Sequence, residues 1–472
     1  MSMNNLESQN VNHGPASAGL SFRGEPIAAL ATAPGAAAIA IIRMSGDGVL
    51  ELIKPFFPKG QMNRHKARVM GLGQFSDPST HQMIDELMFV CFHGPHSFTG
   101  EDSIELFCHG GPYIVNRILQ CLWMHGFRPA QPGEFTKRAY LNGKLDLSAA
   151  EGIKQLVEAS THQQWMAARQ LATGRFAQKI EELRSVLIEA MAYLAARIDF
   201  PDEGDTQDVD LALVRSKVLR VFKSLESLER SYASGRVAAQ GLMVAIIGQP
   251  NMGKSTLMNT LLGHERAIVT EIAGTTRDYL EEPCRIKGRL IRLIDTAGIR
   301  DASDRVEKLG VERSLTIAQE ADFVLLLMSP ESSSSERAEI GALAQQIGLD
   351  KCLKILTKSD LGRPEWACDC LPLSCSKGEG LEALEDALVV RVDGFIGQLD
   401  EEPFLSSSRH LAAIQMARQD LEAFFEAETA GHYDELLAFE LQNAARALSG
   451  ILGGVDVEDI LDKVFRDFCV GK

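Results

Sequence analysis

The chain reads as a multidomain protein of α/β and α layers: an amino-terminal α+β domain, a helical bundle drawn from two chain segments, and an inserted α/β domain. Three observations predict this. Residues 26 to about 145 mix short apolar runs with Gly/Pro turns. Ser148 to Ile198 carries helix spacing almost free of Pro and Gly, and helix spacing returns from Ser406 onward. Between the helical stretches, four apolar runs each end in a polar turn, as strands of a parallel sheet do. A chain of 472 residues with 45% apolar content can bury two or three cores.

In chain order, residues 1–25 are Ser/Asn-rich with one Arg and no apolar stretch, and read as a disordered tail rather than a signal or transit peptide. Domain 26–145 carries strand-like runs at Ile27–Leu30, Ala36–Ile42, Leu87–Phe92 and Ile104–Cys108, and an amphipathic stretch at Tyr113–Met124. The first helical part, 146–240, is interrupted by Phe200-Pro201-Asp202-Glu203-Gly204 and resumes over Leu211–Ala233. The inserted domain covers 241–392. The second helical part, 393–472, holds Arg409–Glu428, Tyr433–Ser449 and Asp456–Phe468. Neither flank alone offers enough apolar surface for a good core. One bundle shared by both is the economical solution, because insertion is tolerated where entry and exit lie close together. Two independent helical pieces are the alternative.

A net charge of −16 argues against an extensive non-specific nucleic-acid surface, while leaving room for a local basic patch. No apolar run reaches the length of a membrane span. Nine irregularly spaced cysteines suit a reducing, cytoplasmic setting. Cys368-x-Cys370 near Cys375 lacks a second ligand pair, so buried thiols are expected there rather than a metal.

Residues 248–255 read Gly-Gln-Pro-Asn-Met-Gly-Lys-Ser, a phosphate-binding loop between a strand (Met243–Ile247) and a helical pattern (Thr256–Leu262). Gly248 and Gly253 let backbone N–H groups close around phosphates. Lys254 reaches the β/γ-phosphates, and the Ser255 hydroxyl can ligate Mg²⁺. Asn251, Met252 and Thr256 complete the cradle, with the helix dipole adding to it.

Downstream elements choose the base. Asp295-Thr296-Ala297-Gly298 closes the run Leu290–Ile294, placing Asp295 near Mg²⁺ and the Gly298 N–H near the γ-phosphate. Thr357-Lys358-Ser359-Asp360 closes Leu353–Leu356, where Asp360 can accept from guanine N1–H and N2–H₂. Ser374-Cys375-Ser376, after Leu371–Leu373, resembles a base-binding Ser-Ala-Lys loop. Four such elements in order predict a Ras-like P-loop GTPase domain. Thr357 stands where Asn is usual, and guanine selectivity is expected to survive it.

The whole order resembles the MnmE (TrmE) family of tRNA modification GTPases. The resemblance rests on Ile41-Ile42-Arg43-Met44-Ser45-Gly46, Phe98-Thr99-Gly100-Glu101-Asp102, His109-Gly110-Gly111-Pro112 and Pro132-Gly133-Glu134-Phe135. It rests also on Asn142–Leu147, Ile198–Glu203 and the closing Phe468-Cys469-Val470-Gly471-Lys472. The family implies a homodimer formed through the amino-terminal domain. It implies a site there for 5,10-methylene- or 5-formyl-tetrahydrofolate, with Arg43, Glu101, Lys144 and Lys472 in contact. It implies a partner, the FAD-bearing MnmG (GidA), in a heterotetramer that installs an aminomethyl-type group on carbon 5 of wobble uridine in tRNA, with no membrane involved. A pterin edge wants a carboxylate and a glutamate tail wants Arg or Lys, so the residue types suit the ligand.

The position that often carries a water-orienting Gln is Ile299, so catalysis must draw on another group. The family's water-orienting acid maps onto Glu307; a helix-start carboxylate is the other reading. Asp301 and Asp304 are neighbours, and Arg277 and Arg300 are merely near. Gly274 to Asp278 forms the switch segment, where Thr276 would complete the Mg²⁺ shell beside Thr275 and Thr270. The family uses K⁺ between facing GTPase domains, which maps onto Asn251, Thr270, Ile272 and Thr275 and implies faster turnover in K⁺ than in Na⁺. Cys469 is either a nucleophile toward the uracil ring or a packing residue. His109-Gly110-Gly111, with no nucleophile elbow nearby, reads as a turn. A GTP-gated ribosome-assembly or docking factor is the rival reading, and such a factor would need no folate site.

Overall fold

The computed structural model describes residues 24–62, 66–199, 211–264, 281–295, 315–397, 399, 402–454, 465, 468 and 471. The chain divides into two compact units, residues 1–150 with 456–472, and residues 151–455.

In the first unit, β1 (Ile27–Leu30), β2 (Ile39–Ser45), β3 (Gly71–Ser76), β4 (Met83–Phe92), β5 (Ser103–His109) and β6 (Arg128–Pro129) form a sheet ordered β3-β4-β5-β2-β1-β6. All pairings are antiparallel except β1 with β6. Alternation decides which face is buried: Ile42, Met44, Ile104, Leu106, Leu87 and Phe89 point into the core. A short α1 (Val49–Leu52) precedes β3. Helix α2 (Pro112–Met124) covers the core with Val115, Ile118, Leu119 and Leu122, the i, i+3, i+4, i+7 stripe of an amphipathic helix.

Strand β3 lies outside the expected runs, because Gly-Leu-Gly-Gln-Phe-Ser shows little apolar alternation. Gly73 is needed there, since a Cβ would stand 2.7 Å from the Phe57 ring. Gly24 and Glu25, grouped with the tail from sequence, are built into the fold: the Gly24 amide donates to Glu101, and Asp47 N–H donates to the Gly24 carbonyl. Helix α3 (Glu134–Leu141) follows. The terminal segment, expected in the second helical part, groups with this unit. Phe465 and Phe468 bury against Leu147 and Ala150, and Gly471, at φ +93, has space for a Cβ blocked by the Leu30 carbonyl. Apart from Phe465 and Phe468, the helix expected over 456–468 lies outside the described residues.

The second unit holds a second sheet: β7 (Leu242–Ile247), β8 (Glu281–Ile286), β9 (Arg289–Asp295), β10 (Phe323–Met328), β11 (Cys352–Leu356) and β12 (Leu371–Pro372), ordered β12-β11-β10-β7-β9-β8. All neighbours are parallel except the β8–β9 hairpin. β7 and β10 are buried along their whole length, as central strands covered on both faces must be.

The stretch 148–198, expected to be helical, is three helices, α4 (Leu147–Glu158), α5 (His162–Ala172) and α6 (Arg175–Asp199). The Thr161 side chain caps α5 by accepting from the Gln164 amide, and Gly174, at φ +74, separates α5 from α6. Helices α7 (Leu211–Gln240), α8 (Lys254–His264), α9 (Ser334–Ile347), α10 (Leu381–Ile396), α11 (Ser408–Thr429) and α12 (Asp434–Leu452) follow. Leu187 and Leu194 of α6, Val218 and Leu225 of α7, Leu421 and Phe424 of α11 and Leu441 and Leu448 of α12 share one core. Both helical segments therefore close around the same apolar surface.

Candidate functional site

The phosphate-binding loop leaves β7 and enters α8 at Lys254. Asn251 (φ +65) and Gly253 (φ +87) adopt left-handed backbone on either side of Met252, the conformation that turns successive N–H groups inward. Lys254 is buried at the first turn, its Nζ donating to the carbonyls of Gly248 (2.9 Å) and Gln249 (3.0 Å). Ser255 and Thr256 are exposed beside it, on the turn whose amides lack helical acceptors. Asp295 ends β9, the direct neighbour of β7, with Ile246 opposite it in register.

The residues expected to bind the base gather at the same ends of the parallel strands. Thr357, buried after β11, sets its hydroxyl 2.8 Å from the Met252 carbonyl and 3.0 Å from the Met328 carbonyl. It ties the phosphate loop to the base side of the sheet with a donor that Asn also offers. Lys358 takes left-handed backbone (φ +52), turning the chain so that Asp360 faces outward. The buried Ser374 hydroxyl donates to Asp360 Oδ1 (2.8 Å) and lies 3.1 Å from the Ser376 hydroxyl. That bond lowers the Asp360 pKa and leaves the other carboxylate oxygen outward. Gly380 permits the tight return of this loop, since a Cβ would overlap the Pro372 carbonyl at 2.0 Å. Cys375 is half-buried; burial pushes its thiol up, while a side-chain bond from Thr260 of α8 opposes that.

In the first unit, Arg43 pairs with Glu105 (2.8 Å) and lies over the rings of Phe98 (5.6 Å) and Phe135 (5.8 Å). Glu101 is buried and committed internally, to Arg138 (3.1 Å), the Ser45 hydroxyl (2.8 Å) and the Gly24 amide (3.1 Å). This differs from the outward carboxylate a pterin edge would want. Lys144 is bound to the Pro95 carbonyl (2.9 Å) and helps line a shallow hollow of about 500 Å³ with Arg68, Phe92, His96 and Phe98. Cations and aromatic rings in one hollow suit an anionic, ring-bearing ligand. His109, expected in a turn, is the last residue of β5, paired with Ile39, and the chain leaves the strand at Gly110, where a Cβ would stand 2.4 Å from the Ala37 carbonyl. His109 Nδ1 lies 2.8 Å from buried Asp85.

The MnmE helical domain model matches residues 147–469, and the model described as GTP-binding protein TrmE N-terminus matches 26–144. The tRNA modification GTPase MnmE of Natranaerobius thermophilus is 39% identical over 463 residues, spanning 95% of this chain and 99% of that protein. Its namesake from a strain of Thermus thermophilus is 38% identical over 449 residues, spanning 95% and 99%. This chain belongs to the MnmE family of tRNA modification GTPases. Among solved structures, the G domain of the T. maritima FeoB iron transporter aligns at 26% identity and a TM-score of 0.25, over 32% of this chain and 98% of that one.

Several residues expected at family sites lie outside the described residues: Thr270, Ile272, Thr275, Thr276, Arg277, Thr296, Ala297, Gly298, Arg300, Asp301, Asp304, Glu307, Cys469 and Lys472. Only the backbone of Asp295 is described. Sequence reasoning does not single out Arg68 or His96, because neither belongs to a motif and only folding puts them beside Lys144. Cys370 is buried, with burial pushing its thiol up to about 11, whereas Cys368 is exposed. Among the described residues, one trio brings possible metal ligands together, Asp77, Cys121 and His125. Arg117 and the Ser79 and Thr80 amides already occupy the Asp77 carboxylate, which argues for a structural turn.

Proposed function

We propose that this chain hydrolyses GTP to GDP and phosphate and, with a flavin-dependent partner, drives folate-dependent addition of an aminomethyl-type group to carbon 5 of wobble uridine in certain tRNAs. The observation that carries the GTPase part is Thr357 bridging to Met252, with Asp360 oriented by Ser374 on the same strand ends. Family membership carries the tRNA part.

Each described residue fits its task. Lys254 can turn from its two loop carbonyls to the β/γ-phosphates, adding charge where the transferring phosphoryl group carries it. The Ser255 and Asn251 side chains make no hydrogen bond among the described residues, which leaves Ser255 able to hold Mg²⁺ and Asn251 to face K⁺. Bound there, the two cations would offset charge on the phosphate oxygens. Of the residues outside the described ones, Glu307 would orient the attacking water and Thr276 would complete the Mg²⁺ shell. Asp360 would accept from guanine N1–H and N2–H₂, which selects GTP over ATP.

In the first unit, Arg68 and Lys144 would hold the anionic tail of a tetrahydrofolate and Phe98 would pack on its ring system. Arg43, over Phe98, would support that wall. Folate supplies the one-carbon unit, FAD on the partner the redox step, and dimerisation pairs the two chains.

The test is mass spectrometry of wobble uridine in tRNA from cells with and without this chain, with turnover of the pure protein measured in K⁺ and in Na⁺. Loss of the carbon-5 modification on deletion is expected, together with faster hydrolysis in K⁺. Unchanged uridines beside intact hydrolysis would instead support the assembly-factor reading.

A further inference from the structure

We infer that a basic hollow between α6, α7, Leu399 and residues 402–404 docks the sugar-phosphate backbone of the RNA substrate, an inference that rests on the tRNA reading above. The hollow encloses about 540 Å³ and is lined by Lys179 of α6, by Arg220, Lys223 and Arg230 of α7, and by the acid Glu402. Arg230 is paired with Glu226 (2.6 Å). Lys179, Arg220 and Lys223 make no ion pair among the described residues. On a chain whose net charge is −16, three such cations around one lining acid concentrate positive charge, although Arg220 also lies within electrostatic reach of Glu189.

The spacing on α7 puts these groups on one face. Arg220, Lys223, Ser227 and Ser234 recur at helical intervals, so cations and hydroxyls line the same wall. Ser227 is exposed, and its hydroxyl makes no hydrogen bond among the described residues. Hydroxyls beside Lys and Arg are the mixture that contacts phosphate oxygens.

The opposite wall is held in place by buried hydrogen bonds. Gln170 donates from Nε2 to the Phe404 carbonyl (3.0 Å) and accepts from the Phe404 amide (3.1 Å). The Leu405 amide donates to the Ser231 hydroxyl (3.0 Å). A Cβ at Gly235 would overlap the Leu405 carbonyl at 2.0 Å, so this segment lies directly on α7. The walls are thus preformed rather than dependent on flexible side chains alone.

Glu402, Pro403 and Phe404 also line a second hollow, of about 280 Å³, whose other walls include Arg169 and Arg175. Arg169 lies over the ring of Trp165 (5.2 Å), and Trp165 in turn stacks on His162 (5.4 Å). Trp165 is 41% exposed. An exposed indole beside a row of cations offers a stacking surface for an unpaired base next to a held backbone.

The test measures tRNA binding by the full-length chain over a series of KCl concentrations. K179A/R220A/K223A is expected to bind at least about tenfold more weakly at low salt. Its slope of log affinity against log salt should be shallower by about two to three, at roughly 0.7–0.9 for each of three phosphates no longer neutralised. GTP turnover and helical circular dichroism should match wild type, and K179R/K223R should bind as wild type does. An unchanged slope and affinity in the triple Ala variant would overturn the assignment while leaving the functional reading standing. Equal loss in K179R/K223R would also overturn it, because packing rather than charge would then be at work. A wild-type chain that binds no tRNA would overturn the docking site, while mass spectrometry of wobble uridine decides the tRNA reading separately.

Discussion

Thr357 shows how a departure from a motif can keep its physical role. Its hydroxyl reaches the Met252 and Met328 carbonyls, so the tie between phosphate loop and base loop persists with a shorter side chain. On the proposed reading, Asp360 would carry the selectivity. An Asn amide there would turn one acceptor into a donor, mismatching guanine and matching the extra carbonyl of xanthine. Asp360→Asn is therefore expected to weaken GTP binding by about 10- to 150-fold, the range for losing hydrogen bonds to a charged group. It should strengthen binding of XTP, and competition titration with the two nucleotides checks both. Comparable affinity for GTP in the variant would remove Asp360 from the base site. The placement of Gly253, Lys254 and Ser255 was legible in sequence, because all three lie within one turn of chain where β7 meets α8. Arg68 and Lys144 were not legible as a pair, because 76 positions separate them and folding alone brings them to one hollow.

Helices α4 and α11 are locked by a charged cluster that has a definite pH signature. Glu151 meets Arg409 (2.8 Å) and His410 (3.0 Å). Burial alone would push Glu151 up, but bonds and charge from His410 and Arg409 outweigh it and hold the carboxyl at about 2, against an ordinary 4.5. A carboxyl depressed by folding stabilises above its unfolded pKa, and that stabilisation is lost as pH falls through the folded one. Stability should therefore fall as pH drops from 4.5 toward 2, and Glu151→Gln should flatten that segment of the stability profile. Thermal unfolding across this range, wild type against variant, is the measurement; identical profiles would argue that the cluster is not coupled to folding. At the same scale, Gly235→Val would drive a side chain into the Leu405 carbonyl. A destabilisation of roughly 1–3 kcal/mol is expected in chemical denaturation, as for other overpacked sites. Long helices were readable from their spacing, whereas β3 was not, because its place depends on Phe57 packing over Gly73 rather than on its own pattern.

At the scale of the molecule, α6 and α7 share their core with α11 and α12, although the inserted sheet lies between them in sequence. Full burial of a Leu or Phe side chain contributes about 1.5–3 kcal/mol, and each of these helices presents several. A chain ending at residue 400 would leave Leu187, Leu194, Val218 and Leu225 without their partners on α11 and α12. Limited proteolysis is expected to cut within 175–240 in that truncated chain at least tenfold faster than in the whole chain; equal resistance would mean that the first helical segment is stable alone. The inserted nucleotide-binding order, the helical periodicity and the family resemblance could all be read from local residue patterns, because spacing along the chain sets backbone geometry and motif chemistry directly. The common core of the two helical segments, the internal pairing of Glu101 with Arg138, the seating of the terminal Phe465 and Phe468 against Leu147 and the basic hollow on α7 depend on contacts between residues far apart in sequence. Those contacts follow from which apolar surfaces can be buried together, and no stretch of sequence states that in isolation.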